Sequence, residues 1–497
     1  GLRWEPKTFS VVLPCAGEGE FAKRTVDSIL TSLSDDEGAL AEIVLVDDGS
    51  DPPVSDYINV SHPEWHKVSI TRHSETLGLI RSKVSGARTA TGDILIFFDC
   101  HVAPQPGWHK EFLKTGAENY RRIMVPMITD LDIDTWTEST RGMPEASKCY
   151  LTWDGDFKWY DSATAHMPVL SGGLLGISRR WWDETGGYDE SMGIWGGENI
   201  DQSLRTWLCG GEMVSLPKAR VAHMWRTPED KRTEAKYKMD IARTITNRAR
   251  AVVGWMGDFA GKLDEYPDMR SLADPSQLDP EVYSEVRKRL KCKPFAWYLW
   301  RFRDIYEEAG LVPASTFQLR HRVSDMCLTF GGPPGAHPQG RDSVSLRPCG
   351  ELVETDRWSG GNPHAQRWHS ANKDPDDSGR CCSGLRAWNT DQCLMERGPL
   401  VASGICSVGG GNAAQWFRLT DGSEGDDIAA GQLLASERGL CLIKKKDGVQ
   451  LALSKCKRRL KKGKEAKPTW MRAEVETPLE AELYQRAKLE QPELFVD

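Results

Sequence analysis

The sequence predicts two kinds of fold in one chain: a doubly wound α/β domain with a mostly parallel sheet, then an all-β module of three short repeats. Three observations lead there. Short runs rich in Val and Ile alternate with helical stretches through the first half. Two of those runs end in acidic clusters, at the strand ends where open α/β sheets bind their ligands. Past about residue 314, Gly, Pro, Asn, Ser and Cys punctuate short strand-like pieces that carry a recurring Cys-Leu pair.

The strand candidates are FSVVLP (9–14), AEIVLVDD (41–48), KVSITRH (67–73) and DILIFFD (93–99). They are apolar almost throughout, as expected of parallel strands covered on both faces. FAKRTVDSIL (21–30) and TLGLIRSKVSGARTA (76–90) supply helices between them. The acidic ends are Asp47-Asp48-Gly49-Ser50 and Asp99-Cys100-His101. Farther on, IWGGENIDQSLRTWLCGGEM (194–213) opens with Gly196-Gly197, a backbone that a ligand can approach closely. Glu198 and Asp201 then begin a helix, where the dipole favours acids, and Gly210-Gly211 ends it. Residues 230–305 read as helical and charged.

In the β half, each repeat has a Cys-Leu pair, a second cysteine and a tryptophan. These are Cys327-Leu328, Cys349 and Trp368; Cys393-Leu394, Cys406 and Trp416; Cys441-Leu442, Cys456 and Trp470. Three such units burying one common core suggest a β-trefoil-like module. The acidic end, 476–497, reads as a helix or tail. The resulting division is 1–300 for the α/β domain, 301–314 for a linker, 315–475 for the β module and 476–497 for the tail.

Composition narrows the classes. The chain has 497 residues, 39% hydrophobic and 27% charged, with a net charge of −8. Those values suit a globular protein and argue against a nucleic-acid binder. The basic run from Lys455 to Lys467 reads as a solvated loop in preference to a contact for an acidic partner. No apolar run reaches the roughly 18 residues of a membrane span. Thirteen cysteines, dense in the β half, point to an oxidising compartment, and the odd number leaves one thiol over.

Asp99 and His101 stand at i and i+2, so they point the same way from a strand or tight turn. One carboxylate and one imidazole suit a borderline divalent ion such as Mn²⁺. Taken alone, the pair more readily describes a capped turn beside a loop histidine. Trp195 offers a platform and Glu198 an acceptor for sugar hydroxyls, while a capped helix with a structural tryptophan fits the same residues.

DCH (99–101), SGGLLG (171–176), WGGENIDQSLRTWLCGG (195–211), ARVAHMWR (219–226), NRARAVVGWMGDF (247–259) and LKCKPFAWYL (290–299) occur in this order. Together they resemble the polypeptide N-acetylgalactosaminyltransferases; the WGGEN block alone is also similar to β-1,4-galactosyltransferases. The resemblance implies a GT-A domain followed by a ricin-type β-trefoil lectin domain. It implies retaining, Mn²⁺-dependent transfer of GalNAc from UDP-GalNAc to Ser or Thr of peptides or GalNAc-bearing glycopeptides. It also implies residence in the Golgi lumen, behind a type II anchor preceding residue 1.

Residue by residue, Asp99, His101 and His223 match the metal ligands. Arg226 matches an arginine on the diphosphate, and Trp195 a tryptophan that holds the leaving phosphate. Asp48 matches the acid that reads uridine, Arg81 a nucleotide-side arginine, and Gly172, Gly173 and Glu198 the sugar pocket. Asn199 is the alternative to Glu198 at the reacting sugar, neither with a covalent role. Cys209 and Cys292 match a disulfide of the family.

The sequence also departs from the family. LPCAGEGE (13–20) stands in place of a Phe-His-Asn-Glu pattern, so Ala16 replaces a histidine. Cys100 replaces a serine and places a thiol, either inert or open to oxidation, between the ligands. Lys218 replaces a cysteine, and TPEDKRTEAKY (227–237) lacks a His-Pro-Tyr segment of the mobile loop. The repeats read Cys-Leu-Thr, Cys-Leu-Met and Cys-Leu-Ile instead of Cys-Leu-Asp, which predicts a module that folds but binds GalNAc weakly; Asp325 and Asp391 are the nearby acids. Cys381 and Cys382 fit either a crosslink or two thiols. Two rival functions stay open: a transferase of the same fold using another UDP-sugar, and a non-catalytic protein that binds UDP or glycopeptide.

Overall fold

The computed structural model describes residues 1–33, 37–139, 147–227, 229–234, 240–332, 343–355, 358–371, 384–408, 413–415, 417–420, 429–435, 439–445, 450–457 and 469–496. These form two compact units. The first comprises 1–159, 163–260 and 269–295, the second 160–162, 261–268 and 296–497.

The first unit is built in chain order from β1 (Phe9–Cys15), α1 (Glu20–Ser32), β2 (Leu40–Asp48), β3 (Val68–His73), α2 (Leu79–Thr89), β4 (Ile94–Phe97), β5 (Val102–Pro104), α3 (Trp108–Glu118), β6 (Arg122–Asp132), β7 (Thr137–Glu138), β8 (Ser147–Leu151), β9 (Phe157–Asp161), β10 (Leu175–Ser178), α4 (Arg179–Thr185), α5 (Glu198–Leu208), β11 (Glu212–His223) and α6 (Ile241–Met256). The main sheet runs β3-β2-β1-β4-β10-β6-β11-β5, with β7 beside β6. Strands β1 to β4 pair in parallel, as the apolar runs predict. Every residue of β1 is buried, because helices cover both faces of the central strands.

The right half of the sheet departs from the parallel expectation, and that departure builds the site. Strand β10 inserts antiparallel between β4 and β6, with Leu175 opposite Phe97. Residues just before β10 therefore lie against residues just after β4. Strand β11 runs parallel to β6 but antiparallel to β5, with His223 opposite Val102. A register shift between Leu216 and Arg220 precedes that pairing. Short, locally ambiguous runs such as LLGIS do not announce their direction, which is set by their neighbours in the sheet.

The second unit is rich in short antiparallel strands around one core. Leu328, Leu394 and Leu442 of the three Cys-Leu pairs are buried together with Phe317, Trp368, Phe417 and Trp470. Trp368 Nε1 donates to the Leu328 carbonyl at 2.9 Å, and Trp470 Nε1 to the Leu442 carbonyl at 3.0 Å. Each tryptophan thus closes its own repeat. Disulfides Cys327–Cys349, Cys393–Cys406 and Cys441–Cys456 staple all three. Trp416, Cys381, Cys382 and residues 458–467 of the basic run lie outside the described residues.

The acidic C-terminal segment forms a helix, Leu479–Glu490, with Leu483 and Tyr484 buried. Within the same unit Lys262 is wholly buried. Its Nζ sits 3.1 Å from Glu265, 3.2 Å from Glu480 and 3.6 Å above the Trp388 ring centre. A buried ammonium of this kind is tolerable only because acids and a π face surround it.

Candidate active site

Asp99 and His101 leave the carboxyl end of β4, and His223 ends β11. Pairing of β11 with β5 brings the three together, with their ligand atoms all within 4.8 Å of one another. His223 Nε2 is 3.1 Å from Asp99 Oδ2, and the two imidazole rings are 5.0 Å apart. Burial pushes the Asp99 carboxyl up, but the His223 hydrogen bond and the charges of His101, His223 and Lys83 outweigh it and hold the group well below the usual carboxylate range. Burial pushes the His223 imidazole down, against the upward pull of Asp99. An ionised carboxylate and a neutral imidazole are the forms that bind a metal.

The donor set fits a borderline divalent ion such as Mn²⁺. His223 Nδ1 is buried without a hydrogen-bond partner. His101 Nδ1 faces Glu18 Oε1 at 3.2 Å, which leaves its Nε2 as the ligand nitrogen. Glu18 also accepts from Arg226 Nη2 at 2.6 Å, and Arg226 Nη1 donates to the Thr233 carbonyl at 2.9 Å. Burial pushes Glu18 up, yet His101 and Arg226 together bring it below its ordinary value.

Gly173 lies beside this group because β10 pairs with β4. A side chain there would press into the Asp99 carboxylate, while Gly172 faces open space. Behind them Lys83, buried on α2, reaches to 3.5 Å from the Gly173 carbonyl. Glu198 begins α5, is 3% exposed, and its Oε2 has no hydrogen-bond partner. Burial raises its carboxyl, and the charge of Lys83 offsets this only in part. Gly196 and Gly197 take φ of 89° and 85°, and a Cβ on Gly197 would lie 2.6 Å from the Asn247 carbonyl carbon. The turn therefore needs glycine at both positions. Trp195 is 37% exposed, and its carbonyl accepts from Asn247 Nδ2 at 3.2 Å. Asn199 Nδ2 donates to the Leu170 carbonyl at 2.9 Å.

Asp48 and Arg81, the residues expected on the nucleotide side, have partners within the protein. Asp48 accepts from the Leu77 and Gly78 N–H groups, both at 2.8 Å, and lies 2.7 Å from His73 Nδ1. Gly78 bridges to Ile194. Asp48 thus steadies the turn on which the Trp195–Glu198 segment rests. Arg81 Nε donates to the Glu190 carbonyl at 3.2 Å.

One expectation is corrected. Cys100 is not a thiol beside a metal: it is bonded to Cys15, with a Cα–Cα distance of 5.4 Å. The thiol left over among the described residues is Cys149, which is buried. The Cys209–Cys292 disulfide is present as the resemblance implies. Sequence reasoning overlooked Glu18 and Lys83. Glu18 sits inside the departure GEGE, and Lys83 sits on a helix face where a lone lysine reads as solvent-facing. In the β module, Thr329, at the position of the missing acid, is wholly buried and accepts from Gln366 Nε2 at 3.1 Å. Asp325 pairs with Arg320 at 2.7 Å.

Comparison with known proteins agrees with the geometry. The family model for glycosyl transferase family 2 matches residues 10–185, and that for the N-terminal domain of galactosyltransferase matches 162–229. Mouse polypeptide N-acetylgalactosaminyltransferase 3 is 34% identical over 340 residues, 62% of this chain and 50% of the relative. Human polypeptide N-acetylgalactosaminyltransferase 10 is 31% identical over 340 residues, 64% of this chain and 54% of the relative. The chain spans about half the length of the curated relatives it matches. The solved structure of GalNAc-T7 with UDP, GalNAc and Mn²⁺ shares the fold, with a TM-score of 0.55 at 22% identity over 91% of this chain and 80% of that one. The disulfides suit the oxidising secretory pathway, and no helix among the described residues is long and apolar enough to cross a membrane. Family models, curated relatives and the order of the motifs converge on one likeness: over the matched residues the chain is similar to the polypeptide N-acetylgalactosaminyltransferases.

Proposed function

We propose that the protein transfers GalNAc from UDP-GalNAc to Ser or Thr hydroxyls of peptides or glycopeptides with retention of configuration, initiating mucin-type O-glycans in the Golgi lumen. The observation that carries this reading is the Asp99–His101–His223 triad at the sheet's carboxyl edge, with buried Lys83 and Glu198 nearby. Residues 1–300 supply catalysis in this reading, and 315–475 form a lectin-like module whose grip on GalNAc is weakened by the loss of its acids.

Asp99, His101 and His223 would hold a divalent ion, which when bound would supply Lewis-acid neutralisation of the diphosphate. Arg226, oriented by Glu18, adds positive charge on the same side, where the leaving group gains negative charge. Trp195 helps hold the leaving phosphate, and Asp48 and Arg81 serve the nucleotide side. Gly172 and Gly173 let the sugar approach the backbone, and Glu198 with Asn199 orients it. The acceptor hydroxyl attacks the anomeric carbon on the face UDP leaves, and the β-phosphate oxygen takes its proton. Neither Glu198 nor Asn199 forms a covalent intermediate.

A UDP-release assay tests this. UDP-GalNAc, UDP-GlcNAc and UDP-Gal are offered in turn with Mn²⁺, bare or GalNAc-bearing Ser/Thr peptides, and a His223→Ala control. Peptide-dependent turnover of UDP-GalNAc alone, lost in the control, is expected. Turnover of another sugar would overturn the donor assignment, and UDP binding without turnover would overturn the catalytic one.

A further inference from the structure

The Cys15–Cys100 disulfide ties the first strand to the metal loop. Strands β1 and β4 are parallel neighbours with Val12 opposite Phe97. Cys15 and Cys100 each lie three residues farther on, so they remain in register past the end of the pairing. Their Cα separation of 5.4 Å is the ordinary span of a disulfide, and both residues are almost wholly buried. Cys100 stands between the two ligands Asp99 and His101. Three residues beyond Cys15, Glu18 holds His101 Nδ1 and Arg226. One short segment, 15–18, therefore grips the ligand loop twice, once covalently and once through Glu18. Single hydrogen bonds also tie the loop: Phe98 N–H to the Val12 carbonyl, Val102 N–H to Thr25 Oγ1, Met224 N–H to the His101 carbonyl, and His223 Nε2 with Asp99 Oδ2, each at 3.1 Å.

We propose that this disulfide is a redox-sensitive positioning element of the metal centre. It keeps Asp99 and His101 aimed at His223, so that reduction weakens divalent-metal binding. By linkage, a bound metal protects the disulfide from reduction. The inference rests on the metal-site reading, not on the identity of the donor sugar. The chemistry is thiol–disulfide exchange with a dithiol. One thiolate of the reductant attacks a protein sulfur and expels the other as thiolate; the second reductant thiol then displaces the first protein sulfur. The dithiol is oxidised to its own disulfide, and Cys15 and Cys100 each end as a thiol. Because the bond is buried, the loop must open before exchange, and a metal held by Asp99, His101 and His223 opposes that opening.

The test is a Mn²⁺ titration followed by the spin resonance of free Mn²⁺. It compares the full chain before and after dithiothreitol treatment and gel filtration with a Cys15→Ser/Cys100→Ser variant. Mass mapping of alkylated cysteines identifies the bonds reduced, and thermal unfolding confirms that each sample is folded. At least tenfold weaker Mn²⁺ binding is expected in the reduced protein and in the variant, with no further effect of reductant on the variant. Saturating Mn²⁺ should slow labelling of Cys15 and Cys100 but not of Cys209 and Cys292. Equal Mn²⁺ affinity in folded variant and wild type, or labelling indifferent to Mn²⁺, would overturn the inference alone. No Mn²⁺ binding by the oxidised wild type would overturn the metal-site reading with it.

Discussion

Gly173 packs against Asp99 so closely that a Cβ would lie 2.8 Å from the ligand's Cγ. The absence of a side chain at one position thus keeps a carboxylate free to aim at His101 and His223. Gly173→Ala should turn Asp99 away and lower Mn²⁺-dependent UDP binding at least tenfold. The midpoint of thermal unfolding should move little, because the site lies at the sheet's edge. Calorimetric titration of UDP with and without Mn²⁺ reads the change.

Glu18 orients His101 and Arg226 together. Losing a carboxylate behind a metal-binding imidazole typically lowers metal affinity about 10–100-fold. Glu18→Gln keeps the size but removes the charge that Arg226 faces, and a fall in Mn²⁺ affinity of that order is expected. Affinity equal to wild type would contradict the positioning role.

Asp201 is wholly buried and takes two hydrogen bonds from Arg205 Nη2, at 2.6 and 2.7 Å, and one from Trp255 Nε1 at 2.7 Å. Removing one partner leaves a buried charge uncompensated, which costs about 3–5 kcal/mol. Arg205→Met should lower the unfolding midpoint of the α/β unit sharply in urea melts. The double variant Arg205→Met/Asp201→Leu should recover part of the loss.

Three histidines of the β-rich unit, His321, His364 and His369, titrate below their ordinary value and make its stability depend on pH, the last two most clearly. His364 is pushed down to about 4, first by burial and then by the neighbouring Arg367, and burial holds His369 well below its ordinary value. Above about pH 6.5 both are neutral folded or unfolded, so no penalty arises. As pH falls below that value the unfolded chain takes up protons that the folded one refuses. Stability then drops by up to about 1.4 kcal/mol per unit and per histidine, for His364 until about pH 4. Denaturant melts between pH 7 and 5 should show this slope, and His364→Gln should flatten it.

Asp99 and His101 are legible as candidates because an Asp-x-His at a strand end is a local pattern, whereas His223 in ARVAHMWR is a candidate only through the resemblance to the family. Strands β1 to β4 were legible from local pattern too, as uninterrupted apolar runs. The Cys15–Cys100 bond was not, since it depends on which strands are neighbours, and β1 is bordered by both β2 and β4. The direction of β10 escaped prediction because four buried residues, LGIS, carry no orientation. Lys83 escaped because its burial depends on Gly173 and Glu198, which arrive from elements far along the chain.

The strand order has a consequence for how the protein comes into being. Asp99 and His101 are made early, but β11 can deliver His223 only after β10 and β6 have taken their places between it and β4. A nascent or half-assembled domain therefore owns two ligands and no centre. A divalent ion held by all three residues can be captured only once the last strand has docked, so its retention would report a completed domain.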